Sequence, residues 1–275
     1  MNTKKTQLMG ILNVTPDSFS DGGEYFSSLK IAFARAEQMI KEGVDIIDVG
    51  GESTRPGAEK IEADEEVKRV LPVIKKIKQK YSSKILISID TWKHEVALEA
   101  TKAGCTIINS LGGFTFDPLL AEVAAKTKSQ VMLYHIKGKP KTMQKGEIKY
   151  TDVIKEISEF FTEQIAVGVK YGIKKENLIL DPGIGFGKTV EQNLAIIKRL
   201  KKFTTFNLPI AVGISRKSHL GKILENDLGI ATSPLERLEA CLAETGIAVQ
   251  NGATFVRTHD VLPTKKFLTA LNHLI

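Results

Sequence analysis

Short apolar runs alternate with longer stretches of helical periodicity from one end of the chain to the other. The runs fall at Leu8–Leu12, Ile46–Val49, Ile85–Ile89, Ile107–Asn109, Val131–Tyr134, Leu178–Leu180, Ile210–Gly213 and Phe255–Arg257, each the length of a buried strand. Between them, apolar residues recur with helical periodicity: Ile31, Ala34 and Met39, then Val67, Val70, Leu71, Ile74 and Ile77. Ile154, Ile157, Phe160, Phe161, Ile165 and Val169 form a third such stripe. Pro72 inside the second stripe is expected to kink that helix or to mark its first turn.

Eight strand-then-helix units in 275 residues, with no Pro/Gly/Ser linker between them, predict a (β/α)8 TIM barrel, α/β in class, as a single domain over 1–275. A doubly wound sheet is the alternative. The polar residues favour the barrel. Asn13, Glu52 to Arg55, Asp90, Asn109, His135, Asp181, Ser215 to Lys217 and Arg257 to His259 all follow strand runs. In a barrel those ends form one ring around one mouth, where active sites sit.

The stretch Leu178 to Lys188 is the most informative. An apolar strand ends in Asp181, then Pro182 and three alternating glycines lead towards a helix start near Glu191. Proline cannot continue a central strand, and glycines permit backbone angles and close approaches closed to other residues. It is not a P-loop, because Pro182 stands where the first glycine is required; nor a dinucleotide fingerprint, because Lys188 replaces the third glycine. The plain alternative is a tight turn with a capping aspartate.

Composition narrows the classes. Hydrophobic content of 42% and charged content of 26% fit a globular protein with a substantial core. The opening residues lack the apolar region of a signal peptide, and no apolar run reaches spanning length, so a cytoplasmic protein is expected. Cys105 and Cys241 lack metal-site spacing and read as small buried residues. The net charge of +7 is carried by lysine runs such as Lys75 to Lys80, a solvated helix face without the interleaved aromatics of a nucleic-acid footprint. It remains compatible with anionic substrates.

Several long segments together resemble the dihydropteroate synthase family, the folate-pathway enzymes targeted by sulfonamides. They are Met9 to Gly23, Asp48 to Gly57, Ser88 to Thr91, Ile107 to Asn109, Asp181 to Lys188, Gly213 to Ser218 and Arg257 to Val261. The resemblance covers essentially the whole chain. Tyr134 stands where the family has a methionine beside the pterin, and His219 where an apolar residue is usual.

The resemblance implies a transferase that joins 4-aminobenzoate to 6-hydroxymethyl-7,8-dihydropterin diphosphate, releasing pyrophosphate. By the family's pattern Asp181 takes the amide and amino edge of the pterin, Asn109 and Asp90 cover other heteroatoms, and Lys217 reaches over the ring. Arg257, His259 and Arg55, with Thr54 on the same loop, serve the diphosphate as its cationic subsite, and Asn13 does so through Mg²⁺. Phe19, Thr54, Pro56, Phe186, Lys217 and Ser218 line the aminobenzoate subsite, with Ser218 at a helix start whose free N–H groups suit a carboxylate. Loops Thr15–Gly23 and Ser53–Ile61 read as lids. The implied mechanism is dissociative, and a homodimer without nucleic-acid or membrane partners is expected.

Two other functions share parts of this pattern. A corrinoid-type pterin methyltransferase would have the barrel and the pterin-edge acid but no diphosphate to bind. A non-catalytic pterin-binding paralogue would lack lid or phosphate residues. The Ser53 to Gly57 segment and the Arg257/His259 pair favour the synthase.

Overall fold

The structure is a computed structural model and describes residues 6–15, 25–53, 60–82, 84–138 and 148–274, with the side chains of 25–28 outside that description. Strands β1 (Gln7–Asn13), β2 (Ile46–Gly50), β3 (Leu86–Asp90), β4 (Ile107–Leu111), β5 (Gln130–Tyr134), β6 (Leu178–Asp181), β7 (Ala211–Val212) and β8 (Phe255–Thr258) form one parallel sheet. Its order is β6-β5-β4-β3-β2-β1-β8-β7, and a bridge between Leu180 and Ile210 brings β6 beside β7, so the sheet curls into a nearly closed barrel. The doubly wound alternative is excluded.

Helices α1 (Tyr25–Lys41), α2 (Ala63–Tyr81), α3 (His94–Lys102), α4 (Leu119–Thr127), α5 (Val153–Lys170) and α6 (Val190–Lys198) follow the first six strands. Two helices, α7 (Ser218–Leu228) and α8 (Leu238–Gln250), separate β7 from β8, and α9 (Val261–Leu271) follows β8. Pro72 is the tenth residue of α2 rather than a first-turn residue, and the helix is assigned without a break around it. It lies half-buried while Val70, Val73, Ile74 and Ile77 face the barrel. Lys75, Lys76 and Lys80 are exposed, as a solvated face requires.

Alternation along the strands divides the interior. Residues pointing outward join the large core between sheet and helices, among them Leu8, Ile47, Val49, Ile89, Ile108 and Leu133. Those pointing inward at the lower level, Met9, Ile46, Ile107, Met132, Ile179, Ala211 and Phe255, form a separate apolar plug. One inward position further along, four of these strands turn to charged or amide side chains: Asp48, Asn109, Asp181 and Arg257. The register places Asp48 opposite Ser88, Asp90 opposite Asn109 and Tyr134 opposite Asp181. The plug therefore forms a dry floor beneath a charged layer.

Candidate active site

Arg257 is the centre of that layer. Its Nε donates to Asp48 Oδ2 at 2.6 Å and its Nη2 to Asp90 Oδ2 at 2.5 Å. Asn109 Nδ2 donates to the same Asp48 oxygen at 3.0 Å. Asp48 thus ties β8 and β4 to β2, a role that reading the strand tips misses because this acid lies in mid-strand. The fork uses two of the five donors of the guanidinium. Burial raises the Asp90 carboxyl above its ordinary range, against the opposing pull of Arg257.

Asp181 is fully buried at the end of β6. Its Oδ1 accepts the Gly183 N–H at 2.8 Å, so the acid braces the following turn and does not cap a helix. The helix start belongs to Thr189, whose side chain accepts the Gln192 N–H in a reciprocal capping box. Burial, opposed by the Gly183 N–H and Lys217, pushes the Asp181 carboxyl up to about 6.

Three buried acceptor atoms in this layer, Asp48 Oδ1, Asn109 Oδ1 and Asp181 Oδ2, find no hydrogen-bond partner among the described residues. Buried acceptors are costly when left unpaired. A row of them around one mouth suits a flat ligand with N–H donors along its edge.

The turn from Asp181 to Lys188 is bolted from below. Lys188 Nζ lies within bonding distance of Gly183 O at 2.9 Å, Phe186 O at 3.0 Å and His135 Nδ1 at 3.0 Å. Gly183 has φ +74°, and a Cβ there would lie 1.8 Å from the His135 carbonyl oxygen. His135 accordingly faces α5, its ring against Phe160, and is not part of the mouth as its place after β5 suggested. Glu52 is diverted too: with Glu66 it pairs with the buried amine of Lys93, at 2.8 and 2.6 Å.

Phe186 and Tyr134 pack edge to face at 4.8 Å between centroids, and Lys217 Nζ sits 4.0 Å above the Phe186 ring. Tyr134 thus builds an aromatic wall where the family has a methionine. Arg216 reaches Lys217's position through a left-handed backbone, φ +61°, held by its forked bonds to Asp260 at 2.7 and 3.2 Å. Burial and then Arg257 lower the Lys217 ammonium to about 7. Ser218 opens α7 and is exposed.

His259 lies beside Ser215, and burial together with Arg216 and Arg257 lowers its imidazole to about 3. The lowering favours a neutral hydrogen-bonding ring, against the expectation of a second cation beside Arg257. Asn13 Oδ1 and Asp90 Oδ2 lie 3.6 and 3.7 Å from one point, the place of a Cβ on Gly50. Of the predicted residues, Asp90, Asn109, Asp181, Phe186, Lys217, Arg257 and His259 gather with Asn13 at the C-terminal end of the barrel, and Ser218 borders them. Phe19, Thr54, Arg55 and Pro56 lie outside the described residues.

The model for the pterin binding enzyme family matches residues 9–259. A dihydropteroate synthase of Escherichia coli K12 is 48% identical over 257 residues, 94% of this chain and 87% of the relative. A crystal structure of the Clostridium difficile dihydropteroate synthase in the presence of pteroic acid superposes with a TM-score of 0.90 at 42% identity, covering 99% of this chain and 97% of that one. The Yersinia pestis enzyme in a sulfonamide drug complex gives the same TM-score at 39% identity, over 100% and 96% of the two chains.

Proposed function

The chain belongs to the dihydropteroate synthase family of pterin-binding enzymes, a family of folate-pathway transferases, and from the geometry of its mouth we propose how it joins 4-aminobenzoate to 6-hydroxymethyl-7,8-dihydropterin diphosphate. The observation that carries the assignment of the pterin is the set of unpaired buried acceptors Asp48 Oδ1, Asn109 Oδ1 and Asp181 Oδ2. A pterin offers ring N–H and amino donors in one plane, and a carboxylate accepts two of them side by side. The apolar plug of Met9, Ile107, Met132 and Ile179 keeps water from competing beneath it.

In this reading the diphosphate lies at the Arg257 and His259 end. Three of the five Arg257 donors remain for phosphate oxygens once Asp48 and Asp90 have fixed the plane of the guanidinium. Asn13 offers a hard amide oxygen beside Asp90, a donor set that suits Mg²⁺, which retains most of its waters. When bound, that ion would offset leaving-group charge. As the C–O bond of the pterin methylene lengthens, positive charge spreads into the ring, and the fixed carboxylates of Asp181 and Asp90 stabilise it. The aromatic amine needs no prior deprotonation to attack that carbon, and no general base is required.

The Phe186 face under Lys217 supplies a flat wall and a cation for the aminobenzoate, with the first turn of α7 at Ser218 close by in sequence. The same reading makes the protein a cytoplasmic homodimer. No described helix is long and apolar enough to cross a membrane. Leu228, Ile230, Leu235 and Ile247 leave apolar surface around the end of α7 and on α8, which supports self-association.

The test is turnover by the purified chain with both substrates and Mg²⁺, followed by pyrophosphate release, beside Asp181→Ala. Loss of turnover in the variant is expected; equal rates would remove the pterin assignment.

A further inference from the structure

Ser215, after β7, touches His259, after β8, twice. Its Oγ accepts the His259 backbone N–H at 3.2 Å and lies 3.1 Å from His259 Nδ1. On the far side of the residue, Arg35 of α1 donates to the His259 carbonyl at 2.7 Å. Backbone and ring are therefore both fixed, and the remaining variable is which ring nitrogen carries the proton.

The donors decide it. Ser215 has one hydroxyl hydrogen, and its two neighbouring acceptors are His259 Nδ1 at 3.1 Å and Asp260 Oδ2 at 3.5 Å. The longer contact is at the limit of a hydrogen bond. Asp260 is also already engaged, its Oδ1 with Arg216 Nη2 at 2.7 Å and its Oδ2 with Arg216 Nε at 3.2 Å. The hydroxyl is better spent on Nδ1, and a neutral imidazole whose Nδ1 accepts must carry its hydrogen on Nε2.

We infer that Ser215 is a positioning residue that holds His259 as the Nε2–H tautomer, so that the ring offers a donor to the departing diphosphate. The inference rests on placing the diphosphate at the Arg257 and His259 end. An ionised diphosphate has only acceptors to offer. The opposite tautomer would turn a lone pair towards it and replace attraction by repulsion. Burial keeps the ring neutral, so the choice of tautomer persists across physiological pH.

Long-range ¹H–¹⁵N correlation of the ¹⁵N-labelled protein reads the tautomer directly, with His259→Gln assigning the signals. The expected spectrum has Nδ1 unprotonated and Nε2 protonated, unchanged from about pH 6 to 8. In Ser215→Ala the ring should shift towards a mixture. Pyrophosphate affinity, read by calorimetry with Mg²⁺, should fall in proportion to the fraction of rings left as Nε2–H, about twofold for an even mixture. Affinity for dihydropteroate, which lacks the diphosphate, should hold, and Ser215→Thr should restore both signals. An Nδ1–H ring in the wild type, an unchanged tautomer in Ser215→Ala, or equal weakening of both ligands would overturn the inference. If Ser215→Ala does not fold, the wild-type spectrum decides alone. A His259→Gln variant that binds pyrophosphate at full strength would instead remove the diphosphate assignment itself.

Discussion

Arg257 of β8 meets Asp90 of β3 at 2.5 Å, although β1 and β2 lie between them in the sheet. The curl of the sheet allows it, since the bond crosses the interior. With Asp48 on the same guanidinium, one cation satisfies two buried acids.

Removing that cation should cost both stability and activity. In Arg257→Met two acids lose their cation, Asp48 keeping only the Asn109 amide, and breaking a buried pair from one side costs roughly 3–5 kcal/mol. Chemical denaturation at neutral pH should show the loss. Arg257→Lys keeps a charge but not the fork, so it should fold better while kcat/KM for the pterin diphosphate falls roughly 100-fold. Equal activity in the lysine variant would show that the planar fork is not what the substrate uses.

Asp181 should trade stability for function. Its carboxyl, raised by burial from 3.8 to about 6, is harder to ionise in the fold than in the unfolded chain. The stability linked to its proton is full below 3.8 and is lost as pH rises through about 6, a cost of roughly 3 kcal/mol above that. Asp181→Asn should therefore abolish turnover yet melt later than the wild type at pH 8, by something like 1–3 kcal/mol, because a neutral amide removes the buried charge. Melting curves should converge as pH falls towards 4. A variant less stable than the wild type at pH 8 would contradict the raised carboxyl.

Most of this architecture is legible in the residue pattern. The eight strand runs and the tips bearing Asn13, Asp90, Asp181 and Arg257 are visible because apolar runs and the residues ending them are local signals. Asp48 is not visible in that way. Strands of a parallel barrel are covered on both sides and read as near-continuous apolar runs, so one inward acid among Ile46, Ile47 and Val49 has no periodicity to announce it. His135 fails for the complementary reason: it follows a strand, yet lies on the side that faces the helices, and only register reveals that. The neutrality of His259 comes from burial and from Arg216 and Arg257, which no linear pattern encodes.

Two glycines with left-handed backbones separate steric demand from conformational demand. At Gly183, φ +74°, a Cβ would meet the His135 carbonyl at 1.8 Å, whereas at Gly172, φ +91°, nothing lies within 4 Å. Gly172→Ala should lose about 1 kcal/mol, the price of the left-handed region alone. Gly183→Ala must move the turn that carries Asp181 and Phe186, so it should lose several times that and most of its activity. Parallel urea titrations and turnover assays of the two variants test this, and similar losses would mean that the turn can slide away from β5.

Lys188 poses the sharpest question about that turn. Its amine is buried beneath the loop with three partners, and burial drives it well below the usual lysine range. Gly183 O has a second donor in the Phe186 N–H, but Phe186 O and His135 Nδ1 depend more heavily on the amine. Lys188→Met keeps the length and loses the amine, leaving Phe186 O and the His135 ring nitrogen as buried unpaired polar groups at a cost of roughly 1–3 kcal/mol each. The bonds end on the backbone of the segment that aims Phe186, and Asp181 is held separately through the Gly183 N–H. The variant should therefore raise KM for aminobenzoate more than KM for the pterin diphosphate. Steady-state kinetics with each substrate varied in turn will show the split. An equal rise in both, or a change in kcat alone, would mean that Lys188 supports the barrel generally and not the aromatic wall.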